Sequence, residues 1–323
     1  MMILFTMALP IALLLGCGNG SAPEGKKDVE ASSKQKTPVQ DTPSGFIVTT
    51  IGTGSPPTEK TRTWAATLVQ YKDKKFLVDC GGGCVHGLEE AGIKPYDIHN
   101  ILFTHHHSDH DSDFLTMLFA GWATHKPRTE LHVMGTPGTQ KFYDTATEFY
   151  KEDIQYRINT GYATRDGILD QVSVSELKGG ETFELDGVKI STVKVPHSIK
   201  AVAYKFEADG RSVVITGDTE YSEGLINFSK NANLVVIDGM LTPVKEGDPY
   251  HDVFERIKPQ LESAHISLDE IGKTAAAGNY QQLLLTHLFN GEMDLKRTKK
   301  VVSEHGFKGK VMIAESLKSY EVR

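Results

Sequence analysis

From Phe46 onward the chain alternates dense apolar runs with breaks rich in Gly, Pro, Asp and Asn. Phe46 to Ile51 predicts a strand, stopped by Gly52-Thr53-Gly54-Ser55-Pro56-Pro57. Ala65 to Tyr71 and Lys75 to Asp79 predict a hairpin turning at Lys72-Asp73-Lys74. A helix is expected over Val85 to Ala91, a strand over Ile98 to Phe103, a helix over Asp113 to Trp122, a strand over Glu130 to Met134 and a helix over Tyr143 to Tyr150. Asp153 to Glu176 is less regular and carries Tyr156 and Tyr162, which predicts a substrate-facing insertion. The second half predicts strands at Val188 to Val195, Ala201 to Glu207, Ser212 to Thr216, Asn233 to Ile237 and Gln282 to Thr286. A helix is expected over Ser267 to Ala277, and strands at Lys310 to Ala314 and Ser319 to Val322 close the chain. Strand-rich halves, each followed by helices, predict an α/β layered domain with internal pseudo-symmetry.

The N-terminal 44 residues break this pattern. Met2 to Leu15 is an almost continuous apolar run ending in Leu14-Leu15-Gly16-Cys17. It is shorter than the roughly 20 residues that span a bilayer, so it reads as a signal peptide over residues 1–16. Leu-x-Gly-Cys resembles the bacterial lipobox, although no Lys or Arg precedes the apolar run. The resemblance implies a lipid-modified Cys17 and membrane attachment. Residues 17–44 are Ser, Lys, Glu, Pro, Gln and Gly with few apolar side chains, the composition of a disordered tether. Residues 45–323 form the expected catalytic domain. Gly18, with no Asp in its place, points to an outer-membrane anchor on the periplasmic or cell-surface side.

Composition narrows the partner class. The formal net charge of −7 argues against a surface built for polyanions, so nucleic acid is disfavoured. Cys80 and Cys84 lie in Asp79-Cys80-Gly81-Gly82-Gly83-Cys84, where a disulfide and two packed thiols are both open. No second Cys pair exists to make a zinc ribbon.

The chemistry concentrates in Phe103-Thr104-His105-His106-His107-Ser108-Asp109-His110. Four potential metal ligands follow an apolar strand within one turn. His105 and His107 alternate, so they face one side, while Asp109 and His110 turn towards a second position. Imidazoles and carboxylates are the ligands of a catalytic zinc site. The cluster leaves two sites incomplete. His197, Asp218 and His287 each follow an apolar β run, at Pro196-His197, Gly217-Asp218-Thr219 and Leu285-Thr286-His287. One shared site explains all three together.

On these motifs, and on the Gly52-Thr53-Gly54-Ser55-Pro56 opening, the chain resembles the metallo-β-lactamase superfamily, in its ribonuclease Z and arylsulfatase branch. The match spans nearly all of Phe46 to Arg323. It implies an αββα sandwich, two mixed β-sheets flanked by helices, with two Zn2+ at one edge; Mn2+ or Fe2+ suit the same ligands. The resemblance assigns His105, His107 and His197 to the first metal, Asp109, His110 and His287 to the second, and Asp218 to both. It makes His265, in Ser263-Ala264-His265-Ile266-Ser267, a helper of the leaving group as general acid. Its acidic partner would be Asp238, where the branch carries a Glu. Asp79 would brace the metal loop. His106 and Ser108 point the other way and are read as packing or solvent-exposed. Trp64, Trp122 and Tyr156 line a pocket or belong to the core.

The implied activity is hydrolysis of a phosphodiester or sulfate ester by a hydroxide bridging two metals, on a small-molecule ester. Transfer-RNA 3′ processing is the rival. Export, the acidic charge and Leu288-Phe289-Asn290-Gly291, which lacks that branch's Ser and Arg-Tyr pattern, oppose it. A lactonase or β-lactamase is a third enzymatic reading, and a zinc-binding module the non-enzymatic one. A homodimer is common in the resembling branch.

Overall fold

The computed structural model describes residues 45–322. The apolar signal segment, the tether and Cys17 lie outside them. In the first half, strands β1 (Phe46–Gly52), β2 (Ala66–Tyr71), β3 (Lys74–Val78), β4 (Asn100–Leu102), β5 (Leu131–Gly135) and β6 (Val172–Glu176) accompany helices α1 (Cys84–Glu90), α2 (Ser108–Asp111), α3 (Phe114–Trp122), α4 (Thr139–Phe149) and α5 (Lys151–Asn159). The second half carries β7 (Thr182–Leu185), β8 (Val188–Val195), β9 (Ala201–Ala208), β10 (Arg211–Ile215), β11 (Leu234–Asp238), β12 (Gln282–Thr286), β13 (Lys310–Ile313) and β14 (Lys318–Glu321). Its helices are α6 (Glu223–Phe228), α7 (His251–Leu261), α8 (Leu268–Gly278) and α9 (Leu295–Glu304).

The strands form two seven-stranded mixed sheets, ordered β14-β1-β2-β3-β4-β5-β6 and β13-β12-β11-β10-β9-β8-β7. Each half of the chain supplies most of one sheet, with β14 crossing back to pair with β1. Three apolar clusters stack the layers. Phe46, Phe76, Tyr204, Phe206 and Val213 fill the space between the sheets. Leu77, Ile101, Phe114 and Trp122 bury the outer face of the first sheet under its helices. Val235, Leu285, Phe254 and Ile271 do the same for the second. Strands covered on both faces carry unbroken apolar runs, as in Leu234-Val235-Val236-Ile237. Phe76 and Phe206 meet across the seam with ring centroids 5.5 Å apart. The result is the αββα sandwich.

Two expectations are corrected. The stretch from Asp153 is irregular only over 160–171: Lys151–Asn159 is helical, with Ile154 buried against the layer beneath, and Val172–Glu176 is β6. Tyr156 and Tyr162 stand exposed on its outside. The helix at Tyr143 also begins earlier, at Thr139. Cys80 and Cys84 are free and buried.

This topology positions the site. Strands β3 to β6 run parallel, as do β10 to β13. Their carboxyl ends therefore open at a common edge, where α/β sheets place ligands. Among the described residues no helix is long and apolar enough to cross a membrane.

Candidate metal centre

The ligand candidates leave the sheets at that edge: His105 just beyond β4, His197 beyond β8, Asp218 beyond β10 and His287 beyond β12. Three of the turns at this edge need unusual backbone. Gly217 adopts φ 59°, and a Cβ there would sit 2.6 Å from Thr104, so only glycine fits. His287 takes φ 55° and Asp79 φ 60°, a left-handed conformation that costs free energy in a non-glycine residue and gathers at functional sites.

One ligand set consists of His105, His107, His197 and Asp218. His107 Nδ1 lies 3.1 Å from His105 Nε2 and 3.1 Å from His197 Nε2. Asp218 Oδ2 stands 3.8 Å from each of those Nε2 atoms. Outer hydrogen bonds fix which nitrogen faces inward. His197 Nδ1 donates to the Ala264 carbonyl at 2.8 Å. His105 Nδ1 donates to Thr104 Oγ1 at 3.0 Å, and that hydroxyl donates to Asp79 Oδ2 at 2.8 Å. With both Nδ1 protons engaged outward, His105 Nε2 and His197 Nε2 present lone pairs inward, beside His107 Nδ1. Two lone pairs facing inward favour a cation between them. Tetrahedral zinc with Zn–N of about 2.0–2.1 Å holds its nitrogens about 3.3 Å apart, close to the spacing seen.

The second set is Asp109, His110 and His287, with Asp218 again beside it. His287 Nε2 is 3.0 Å from Asp109 Oδ2, and His110 Nε2 is 3.6 Å from the same oxygen. His110 Nε2 and His287 Nδ1 approach Asp218 Oδ1 at 3.2 and 3.3 Å. These three atoms, His110 Nε2, His287 Nδ1 and Asp218 Oδ1, are buried without a hydrogen-bond partner. Buried polar atoms are rarely left so unless an ion or water completes them. The donor set fits a second divalent metal. Asp218 thus turns one oxygen to each set.

The support is layered. Asp79 Oδ1 accepts the Thr104 N–H at 2.8 Å, and Asp79 Oδ2 accepts from His110 Nδ1 at 2.9 Å. One carboxylate therefore orients His110 and, through Thr104, His105, as outer-shell carboxylates do for metal-bound imidazoles. Thr104 was not singled out from sequence; a polar residue closing an apolar run directly before the histidines was its signal. His106 packs against Phe103 and Phe142, as expected, and also makes specific hydrogen bonds. Its Nδ1 lies 3.0 Å from Asp111 Oδ2 and its Nε2 2.9 Å from Thr139 Oγ1, so it ties the ligand loop to the start of α4.

His265 and Asp238 come together beside the metal centre. Asp238 Oδ2 receives the His265 Nδ1 proton at 2.8 Å and the Thr219 N–H at 3.1 Å, and its Oδ1 receives the Met240 N–H at 3.0 Å. The His265 ring stacks on His287 at 5.6 Å. Burial pulls the His265 pKa down, but Asp238 outweighs it and raises it above the ordinary imidazole value. Trp122 is core; Trp64 packs over Gly82 behind the Asp109 backbone; Tyr156 faces solvent away from any partner cluster. The remaining histidines pair elsewhere, such as His86 with Glu90 and His305 with Asp269.

Residues 46–261 match the family described as Anti-Pycsar protein Apyc1. The chain belongs to this family. It is also similar to the ribonuclease Z of Mycobacterium marinum, 28% identical over 283 residues, which covers 85% of this chain and 98% of that protein. The ribonuclease Z of Mycolicibacterium gilvum is 30% identical over 246 residues, covering 74% of this chain and 83% of that protein. Among solved structures, the metallo-β-lactamase fold protein YhfI from Bacillus subtilis aligns with TM-score 0.65 and 20% identity over 85% of this chain and 99% of that one. Yeast PDE1 aligns with TM-score 0.61 and 14% identity over 86% and 99%. This Apyc1-family chain is thus a metallo-β-lactamase-superfamily hydrolase of metal-dependent, ester-cleaving type.

Proposed function

We propose that this chain hydrolyses a phosphodiester or sulfate ester of a small diffusible substrate, such as a cyclic phosphodiester or an aryl sulfate, at a dinuclear metal centre. The observation that carries this reading is Asp218, whose two oxygens each face one of two convergent ligand sets. Two bound ions would supply Lewis acidity towards the ester oxygens and a nucleophilic hydroxide near neutral pH. The chain's own residues do the rest. Asp79 and Thr104 hold the imidazoles in register. Asp238 anchors His265 Nδ1, which leaves Nε2 free to give a proton to the departing oxygen. Such acid catalysis is worth roughly 10²–10⁴-fold.

The test is a substrate panel on zinc-loaded protein: bis(4-nitrophenyl) phosphate, a cyclic nucleotide, 4-nitrophenyl sulfate, a lactone and a β-lactam. Turnover of phosphodiester or sulfate probes supports the proposal; turnover of the lactone or β-lactam alone defeats it. His265→Ala should lose roughly 10²–10⁴-fold on an alkyl leaving group and far less on 4-nitrophenolate, which leaves unprotonated. Equal losses on both would remove the general-acid role. The ribonuclease Z relatives favour a second reading, transfer-RNA 3′ cleavage, and a precursor transfer RNA belongs in the same panel. The proposed setting is outside the cytoplasm, on a lipidated Cys17. Cys17→Ser should release the protein from membranes; unchanged fractionation would contradict the anchor.

A further inference from the structure

A cavity of about 190 Å³ opens beside the metal centre, at the same edge of the sandwich, and is lined by Thr136, Pro137, Lys178, Lys194, Lys200 and Val202. The topology fixes where it sits. Thr136 follows β5, which neighbours β4, and the Leu177 N–H continues the ladder onto the Gly135 carbonyl at 2.7 Å. At about 4.8 Å per strand, Lys178 lies within roughly 10 Å of the line of His105. From the other sheet, Lys194 precedes His197 by three residues and Lys200 follows it by three. Val202 N–H donates to the Thr104 carbonyl at 3.0 Å, which joins the cavity wall to the residue before His105.

Its chemistry is distinctive. The walls are mainly apolar, and Lys178, Lys194 and Lys200 are exposed around them. None of the three ammonium groups makes an ion pair within 4 Å or a side-chain hydrogen bond among the described residues, whereas Lys189 and Lys205 of the same sheet both pair with Glu207. Two carboxylates share the neighbourhood and keep their charge, Glu176 within electrostatic reach of Lys178, but both are held by neutral donors. Glu176 Oε1 accepts the Gly138 and Gln140 N–H groups. Glu181 accepts the Lys178 and Gly179 N–H groups and the Thr192 hydroxyl. Lysine stems cover apolar surface while their heads stay at the rim, so such a cavity takes a body with apolar faces and an anionic group.

The geometry points to an anion subsite: the cavity receives a second, non-reacting anionic group of the substrate, a phosphate or carboxylate, on Lys178, Lys194 and Lys200. This rests on the hydrolase reading for where the scissile group lies. It makes the substrate a phosphorylated or otherwise doubly anionic ester such as a phosphorylated dinucleotide.

The experiment separates binding from turnover. The probe is the methylphosphonate analogue of dithymidylate, which resists hydrolysis, with and without a 5′-phosphate. Calorimetry on zinc-loaded protein should show about tenfold tighter binding of the phosphorylated probe. Lys178→Gln/Lys194→Gln/Lys200→Gln should bring the two affinities together, and added salt should narrow the wild-type gap. Equal affinities in the wild type, or a gap that survives the triple substitution, overturn the subsite. Hydrolysis of the parent phosphodiesters is scored separately. A protein that keeps the tenfold preference but cleaves neither parent retains the subsite and defeats the phosphodiesterase reading.

Discussion

The two ligand sets share Asp218, yet His105 and His107 of one and His110 and His287 of the other are shifted in opposite directions. Around His105, burial and then the neighbouring imidazoles His110 and His197 push the pKa well below the ordinary value. Burial, then His197, lowers His107 as well. In the second set burial acts in the same direction, but carboxylates outweigh it. Asp218 and Asp79 raise His110 well above the ordinary range, and Asp218, Asp109 and Asp238 push His287 up to about 10. His105 and His107 therefore offer neutral lone pairs at neutral pH, while His110 and His287 keep protons where a cation would sit. The lesson is that a carboxylate-rich set must exchange protons for metal, and an imidazole-rich set need not.

The largest test of this comparison is Asp218→Ala, which removes an oxygen from both sets at once. Activity should fall by more than the roughly 10–100-fold that follows loss of an outer-shell partner, and metal should be lost from both sets. His107→Ala and His287→Ala should instead each weaken one site and spare the other in a zinc titration. Next in size is Asp79→Asn, which disturbs the support of His110 directly and of His105 only through Thr104. It should cost roughly 10–100-fold in affinity at the second site and less at the first. Equal loss at both would break the distinction.

A further test is the pH dependence. Protons on His110 and His287 compete with the second ion and are lost as pH rises, for His287 through about 10. Between pH 6.5 and 8.5 the second zinc should bind more tightly, by up to about tenfold per pH unit for each proton displaced, while the first changes little. Titration in two buffers of different ionisation enthalpy reads the protons released. The sign reverses for the stability of the metal-free protein. A raised His287 pKa stabilises it fully below about 6.5, and that contribution disappears as pH rises through about 10.

Most of the ligand geometry was legible because the residues sit at the ends of apolar runs. His105, His197, Asp218 and His287 each follow a strand, and the sheets bring those strand ends to one edge. The sandwich followed from the same runs. What stayed hidden lacked that signature. Helix α9 buries only Thr298 and Val302 under a lysine-rich face, and α7 contains Pro259, so neither shows a long apolar stripe. The stretch from Asp153 is helical because Ile154, one residue in an otherwise polar run, reaches the layer beneath. The lysine-rimmed cavity gathers side chains from segments far apart in sequence, which no local pattern reveals. Thr104 was passed over because its role comes from Asp79, 25 residues earlier.

The central claim is that Asp218 joins two metal sites in one centre. Its most direct test is the zinc content of purified protein comprising residues 45–323, by mass spectrometry of the native species and elemental analysis. Two zinc ions per chain, falling to one in His287→Ala and to fewer than one in Asp218→Ala, are predicted. A single ion in the unaltered protein, or two ions retained after Asp218→Ala, would contradict it.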